Sequence, residues 1–162
     1  MRVIFLDNRD SFVYNLVDLT AREAGVQVFR NTTPVGTLRD ALEPTAEERA
    51  AGERPLLILS PGPGHPRQAG HMMEILDVAL QEKIPTLGIC LGFQAMVEAC
   101  GGVVAPVGAT HGRTDRVELT EAGIEDPSFS AIAEAPRPGD EATHGYISIA
   151  RYHSLGTRSL PE

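Results

Sequence analysis

The sequence has few cysteines, few basic residues and no long apolar run, and each shortage argues against a class of protein. Two cysteines in 162 residues cannot form the disulfide framework of a small secreted domain, so we expect a reducing, cytoplasmic environment. No apolar run approaches the roughly 20 residues that a membrane-spanning helix needs. The N-terminus enters an apolar strand directly, and we therefore expect no signal peptide.

Basic residues are outnumbered, because 14 lysines and arginines face 22 acidic residues and leave a net charge of −8. The absence of any Lys/Arg cluster argues against nucleic acid or an anionic membrane as the partner. The histidines and cysteines show no metal-ligand spacing, and there is no Walker or dinucleotide fingerprint, so we expect neither a metal nor a cofactor. The content of 42% hydrophobic and 22% charged residues is typical of a globular domain.

Short apolar runs alternate with helical periodicity along the first hundred residues. Strands are predicted at residues 3–6, 26–29, 56–59 and 85–90, and helices around residues 12–20, 38–42, 72–80 and 91–100. This alternation indicates an α/β fold, with a mostly parallel central sheet in a single domain and helices on both faces. Asp10 or Ser11 is expected to cap the first helix, which Gly25 ends. The polar segment 43–54 is interpreted as a solvent-exposed connection.

The last third of the chain has a different pattern. Short strands are predicted at residues 103–104, 116–119 and 146–149, and a loop at residues 133–143. The C-terminal third is therefore expected to be β-rich.

Residues 88–92 read Gly-Ile-Cys-Leu-Gly, where a predicted strand meets a predicted helix without a spacer. This is the thiol counterpart of the G-x-S-x-G nucleophile elbow, in which the flanking glycines relieve backbone crowding. The helix N-terminus is expected to favour the reactive thiolate of Cys90, and Gln94 lies one turn further along the same face. The pentapeptide alone is equally compatible with a small buried cysteine, which is our interpretation of Cys100.

A loop rich in proline and glycine, residues 60–64, follows the third strand. Because the carboxyl ends of parallel strands meet at one edge of a sheet, this loop and Cys90 are expected to share a cleft. If Cys90 attacks a carboxamide, the N–H of Leu91 and one from the loop at Gly62 can form the oxyanion hole. Each histidine is a candidate base and also a candidate structural residue. The five are His65, His71, His111, His144 and His153.

Five motifs, in family order from residue 7 to residue 155, resemble those of class I (triad) glutamine amidotransferases. They are Asp7-Asn8 with residues 10–16, residues 59–64, residues 87–94, His111-Gly112 and residues 151–155. The first and the last are similar to the small subunits of anthranilate synthase and of its aminodeoxychorismate synthase relative. Five ordered motifs over nearly the whole chain strongly favour Cys90 as a nucleophile.

The resemblance implies a flavodoxin-like class I glutaminase fold and a reaction in which Cys90 attacks the side-chain amide of L-glutamine. The products would be a γ-glutamyl thioester and ammonia, with Leu91 and Gly62 forming the oxyanion hole. The residues implied to hold glutamine are Gly62, Pro63, Gly64, Gln94, Ser154 and Leu155. Ammonia would pass to a separate chorismate-binding synthase subunit that makes anthranilate for tryptophan synthesis.

One departure from the family pattern concerns the base. The family has a late F-H-P-E-S segment whose His and Glu complete the triad, and residues 1–162 contain no counterpart. We therefore assign no catalytic His or Glu, and expect these residues to be a C-terminally incomplete amidotransferase domain, either a partial sequence or a natural truncation. The alternatives are the glutaminase subunit of aminodeoxychorismate synthase in folate synthesis, a non-catalytic regulatory subunit, and an unrelated cysteine-elbow hydrolase.

Overall fold

Residues 1–141 and 145–159 are described by a computed structural model. The chain divides into two compact units, of which one comprises residues 1–105 with the segment from residue 155, and the other residues 106–154. His144 and the last two residues of the predicted loop 133–143 lie outside the described residues. No helix in the described part of the chain is long and apolar enough to cross a membrane.

The first unit is organised around a parallel sheet. Its strands are β1 (Arg2–Asp7), β2 (Gly25–Arg30), β3 (Leu56–Leu59) and β4 (Thr86–Gly88). All pairings are parallel, and the strand order is β2-β1-β3-β4. This confirms the predicted parallel sheet, and the order is that of the first four strands of a flavodoxin-like fold. β4 is shorter than the predicted strand 85–90, because the chain leaves the sheet after Gly88.

Helices cover both faces of this sheet, as predicted. They are α1 (Val13–Thr20), α2 (Val35–Leu42), α3 (Ala46–Ala51), α4 (Met72–Gln81), α5 (Leu91–Ala99) and a short 3-10 helix (Pro66–Gln68). Side chains of a strand alternate between faces. Ile4 and Leu6 of β1 therefore join the core formed with α2, α4 and α5, whereas Val3 and Phe5 join a second cluster that includes residues of α1.

The start of α1 differs from the prediction. The helix begins at Val13, after Phe12, whose side chain makes no capping hydrogen bond. Asp10 instead organises the preceding turn, since its Oδ1 accepts the backbone N–H of Phe12 at 2.8 Å. The helix ends at Thr20, and Gly25 begins β2 rather than ending α1.

The segment 43–54 is mostly exposed, as predicted, but it was wrong to interpret it only as a connection, because it contains α3. A reciprocal capping box begins this helix: Thr45 Oγ1 accepts the N–H of Glu48 at 3.2 Å, and Glu48 Oε2 accepts the N–H of Thr45 at 2.8 Å. The Arg2 guanidinium then donates to both carboxylate oxygens of Glu48, at 3.2 and 3.0 Å. The spacing T-x-x-E was the sequence signal for this helix.

The second unit contains a two-stranded sheet, which agrees with the predicted β-rich character. The strands are β5 (Ala105–Glu118) and β6 (Tyr146–Gly156), of which β6 runs on into the first unit, and the short helices α6 (Glu121–Glu125) and α7 (Pro127–Ser130) lie between them in sequence. Residues 103–104 form no strand, and the predicted strands 116–119 and 146–149 are parts of longer ones. The helices were missed because each has at most five residues, although Thr120 and Asp126 provide side-chain N-caps for them.

Candidate active site

The predicted strand-to-helix turn is present at Cys90, between β4 and α5. Cys90 is the N-cap residue of α5 and has φ of 53° and ψ of −102°. A positive φ is unfavourable for a residue with a Cβ, and such backbone strain is concentrated at functional sites. Cys90 is exposed and forms no disulfide. The geometry is that of a nucleophile elbow presenting its thiol at the carboxyl end of a strand.

Close backbone contacts explain the two glycines of the elbow. A Cβ on Gly88 would lie 2.6 Å from the carbonyl carbon of Gly92 and from the backbone nitrogen of Phe93. A Cβ on Gly92 would overlap the carbonyl oxygen of Leu59 and lie 2.6 Å from its Cβ. The absence of side chains at both positions lets α5 begin directly against β3, as the sequence motif requires.

Gly62 and Leu91, the two predicted oxyanion-hole residues, lie against each other. A Cβ on Gly62 would come within 2.7 Å of Leu91 Cδ2 and within 2.6 Å of Asn8 Cβ. The backbone N–H of Leu91 is directed at the Cys90 sulfur and stabilises its thiolate. The Pro-Gly loop at Gly62 thus packs against the side chain of Leu91, the first residue of α5, whose backbone N–H acts on the thiol.

A buried polar network supports this loop, and sequence reasoning missed it. The backbone N–H of Asn8 donates to Ser60 Oγ at 2.9 Å, and Asn8 Nδ2 donates to the Ser60 carbonyl at 2.9 Å and to Met72 Sδ at 3.2 Å. Asn8, Ser60 and Met72 are all buried. The available signal was that Asn8 and Ser60 directly follow two apolar strands, whose carboxyl ends meet at one sheet edge.

The expectation that the helix N-terminus gives Cys90 a low pKa was wrong for the net shift, although the N–H of Leu91 at that terminus acts in the expected direction. Burial of the sulfur raises the pKa of the Cys90 thiol above its ordinary value, even though the residue as a whole is exposed. The Leu91 N–H opposes this shift by stabilising the thiolate, whereas the negative charge of Asp10 adds to it. The two raising effects outweigh the single N–H, so the resting sulfur is a thiol that must be deprotonated before it reacts.

The predicted glutamine-binding residues have different surroundings. Gln94 is buried, and its Nε2 donates to the Leu155 carbonyl at 2.9 Å. Pro63 and Gly64 are exposed. Ser154 is exposed near the end of β6 and is the last residue of the second unit. Gln94 and Leu155 are therefore hydrogen-bonded to each other. The side-chain amide nitrogen of Gln94, which was expected to face the substrate, already has a protein partner.

Four of the five histidines lie within the described residues. Two are in the first unit, where His71 Nδ1 lies 2.7 Å from Glu74 Oε2 and His65 Nε2 lies 3.5 Å from Glu98 Oε1. The other two lie within strands, His111 in β5 and His153 in β6. The described residues contain no group of three or more His, Cys, Asp or Glu side chains that could hold a metal ion.

Cys100 has a different environment from the predicted one. It is the C-cap residue of α5 and is exposed, so its interpretation as a core residue was wrong. The methionines of α4 fill the core, because Met72 is fully buried and Met73 packs against the same cluster.

The fold has known relatives among solved structures. A glutamine amidotransferase from Thermotoga maritima superimposes with a TM-score of 0.64 at 18% identity, covering 99% of this chain and 63% of that one. A glutamine amidotransferase from Methylobacillus flagellatus gives a TM-score of 0.58 at 17% identity, covering 99% of this chain and 57% of that one. At these identities the likeness concerns the fold alone.

The sequence itself shows the family. The glutamine amidotransferase class-I family matches residues 4–162, and the chain belongs to it. The chain is 45% identical to anthranilate synthase component 2 of Corynebacterium glutamicum, over 99% of its length and 72% of that protein. It is 40% identical to the pyocyanine-specific component 2 of Pseudomonas aeruginosa, over 100% of its length and 70% of that protein. These comparisons confirm the resemblance drawn from the five motifs.

Proposed function

We propose that this chain is the glutamine-hydrolysing subunit of an anthranilate synthase and supplies ammonia to a chorismate-binding synthase subunit. The observation that supports it most directly is the elbow at Cys90, in a chain 45% identical to a protein named anthranilate synthase component 2. We place this complex in the cytoplasm, because both cysteines are free thiols and free thiols persist in a reducing compartment.

The proposed chemistry begins with the Cys90 thiolate. Its sulfur bonds to the amide carbon of glutamine, and the carbonyl oxygen becomes an oxyanion held by the N–H groups of Leu91 and of the loop at Gly62. The carbon–nitrogen bond then breaks, and the nitrogen leaves as ammonia after taking up a proton. Water hydrolyses the γ-glutamyl thioester and releases glutamate and the thiol. The residues proposed to hold glutamine are Gly62, Pro63, Gly64, Gln94, Ser154 and Leu155.

The raised pKa of Cys90 sets a requirement on this reaction. Because the resting thiol is protonated near neutral pH, a general base must take its proton when glutamine binds. Family members provide that base as a triad His, and we assign the role to none of the histidines in residues 1–162. Our proposal for this chain therefore covers the nucleophile, the oxyanion hole and substrate binding.

The decisive test uses the protein in its native source, where it is made at its natural length. We would replace Cys90 by serine in the chromosomal gene and grow the cells with glutamine at low ammonium. The expected result is a requirement for anthranilate that high ammonium removes, because the synthase subunit can use free ammonia. Cys100→Ser is the matched control, since it also removes an exposed thiol of α5, and it should grow like the parent.

Two outcomes would contradict the proposal. Rescue by 4-aminobenzoate instead of anthranilate would assign the chain to the aminodeoxychorismate synthase of folate synthesis. Normal growth of the Cys90→Ser strain at low ammonium would remove Cys90 from ammonia supply altogether and would favour a regulatory subunit.

A further inference from the structure

A buried carboxylate on α5 faces the loop that leads away from the oxyanion hole. The Glu98 side chain is only 8% exposed and lies in the last turn of the helix. Its Oε2 is 3.1 Å from Arg67 Nε, and its Oε1 is 3.5 Å from His65 Nε2. A carboxylate is rarely buried to this extent unless it is paired, because burial removes its hydration. Neither the sequence motifs nor the chemistry proposed above assigns Glu98 a role.

The hydrogen bonding of His65 fixes how it meets Glu98. The ring Nδ1 accepts the backbone N–H of Arg67 at 3.3 Å, so Nδ1 carries no proton. The proton of a neutral His65 is therefore on Nε2, the atom that faces Glu98. Glu98 Oε2 accepts no aligned hydrogen bond from the described residues, so its attraction to Arg67 is mainly Coulombic. A neutral isostere at residue 98 would remove that attraction without changing the packed volume.

The contacts of Glu98 connect the nucleophile helix to the loop. Residues 60–68 run from the end of β3, through the Pro-Gly loop, into the 3-10 helix that contains Arg67. At its beginning the segment is anchored to β1, through Ser60 and Asn8. At its end it is anchored to α5, through Arg67 and Glu98. Gly62 lies between the two anchors and against Leu91, the first residue of α5.

The anchor between Arg67 and Glu98 matters because Glu98 lies on the same helix as the nucleophile, at a helical spacing from it. Cys90, Gln94 and Glu98 are four residues apart, so they share one face of the helix. Gln94 binds the Leu155 carbonyl, and Glu98 binds the 3-10 helix. One rigid element thus presents the nucleophile and holds two neighbouring segments, and a displacement of the loop relative to Glu98 is a displacement relative to the sulfur.

We propose that Glu98 is a positioning residue, which holds the Gly62 loop at the distance from Cys90 that the oxyanion hole requires. The inference rests on the proposed glutaminase function and adds to it a residue eight positions beyond the nucleophile. Its action is indirect, because Glu98 acts through Arg67 and His65 and touches no reacting atom. Misplacement of a catalytic group by about 1 Å can slow a reaction on the order of a hundredfold.

The test compares two reagents that alkylate Cys90 of the full chain. A chloroketone analogue of glutamine reacts when the sulfur displaces its chloride, and it uses the glutamine site and the oxyanion hole. Iodoacetamide reacts when the same sulfur displaces iodide, and it needs neither. We expect Glu98→Gln to slow the chloroketone reaction about 10- to 100-fold and to leave the iodoacetamide reaction within about twofold, with both rates followed at Cys90 by mass spectrometry.

Two controls define the pathway. Arg67→Gln should slow the chloroketone as Glu98→Gln does, and the double variant should be no slower than either single one, because both remove the same contact. Glu74→Gln is the matched control, because Glu74 also pairs with a histidine, yet its side chain is 63% exposed and that histidine, His71, is the N-cap residue of its own helix α4. It should leave both reagents unaffected.

The outcomes separate this inference from the proposed function. If glutamine fails to protect Cys90 of the parent chain from either reagent, the proposed function is wrong and the inference fails with it. If the parent is protected but Glu98→Gln reacts with the chloroketone at the parent rate, only the inference is overturned. Equal slowing of both reagents would also overturn it, since Glu98 would then support the elbow itself rather than the loop.

Discussion

Gly92→Ala and Gly36→Ala form a matched pair that tests the contact between the elbow and the sheet. Each glycine is the second residue of its helix, Gly92 in α5 and Gly36 in α2. A Cβ at residue 36 would have no atom within 4 Å. At residue 92 it would lie 2.6 Å from Leu59 Cβ, about 0.8 Å short of the 3.4 Å at which ordinary contact begins. The two substitutions therefore add the same methyl group, to open space at residue 36 and to space occupied by Leu59 at residue 92.

The two substitutions are expected to change the free energy of unfolding in opposite directions. Alanine at Gly36 should stabilise the chain by about 0.5–1 kcal/mol, because glycine loses more conformational freedom when it enters a helix. Overpacking typically costs about 1–3 kcal/mol. The obstacle at Gly92 is the main chain of a central strand, which cannot rotate away, so we expect a loss near 3 kcal/mol. In a chain of this size that corresponds to a midpoint about 6–12 °C lower.

Urea and thermal unfolding followed by circular dichroism would measure both variants. The reasoning is refuted if Gly92→Ala unfolds at the parent midpoint, because the close approach to Leu59 would then be easily relieved. It is also refuted if Gly36→Ala is destabilised as much as Gly92→Ala. In that case the loss would reflect a general intolerance of alanine at the second helical position, and not the crowding of the elbow.

Two further predictions concern the surroundings of the thiol. Asp10→Asn keeps the oxygen that accepts the N–H of Phe12 but removes a charge that raises the pKa of Cys90, so alkylation of Cys90 at about pH 8 should become faster. An unchanged rate–pH profile would exclude Asp10 as a cause. Gln94→Ala removes the donor to the Leu155 carbonyl, at a cost of about 1 kcal/mol, and should raise the KM of the holoenzyme for glutamine. An unchanged KM would remove Gln94 from the glutamine site.

The raised pKa of Cys90 also makes the stability of the fold depend on pH. The folded state holds the thiol proton more tightly than the unfolded state does. The resulting stabilisation is fully present below the pKa of an unfolded cysteine and is lost as the pH rises through the folded pKa. Asp10→Asn should move the upper end of this window to lower pH, and urea midpoints measured across alkaline pH would follow that movement.

The elements that could be predicted are those whose signals are local in sequence. Five consecutive residues predict the elbow at Cys90, and the alternation of apolar runs with helical periodicity predicts the parallel sheet. Helix α3 was also predictable, because its capping box needs only Thr45 and Glu48, three residues apart. It was missed because charged residues were interpreted as evidence of an exposed connection.

The remaining features depend on contacts between residues that are distant in sequence. Asn8 and Ser60 are 52 positions apart. Each follows an apolar strand, which places both at one edge of the sheet, but the sequence does not indicate that the two are hydrogen-bonded to each other. The pKa of Cys90 is a similar case. The sequence indicates a helix N-terminus, which lowers a thiol pKa, but burial of the sulfur and the charge of Asp10 arise from the folded chain and reverse the shift.

The positive φ of Cys90 has a consequence for any selection applied to this chain. A residue with a Cβ adopts a φ of 53° only at a cost in conformational energy, and glycine would adopt the same backbone conformation at lower energy. A library screened only for thermal resistance should therefore accumulate glycine at residue 90, and each such variant would be more stable but would lack the proposed nucleophile. Stability favours glycine at this residue, whereas reactivity requires cysteine. Any engineering of the chain therefore needs an assay of Cys90 reactivity from its first round of selection.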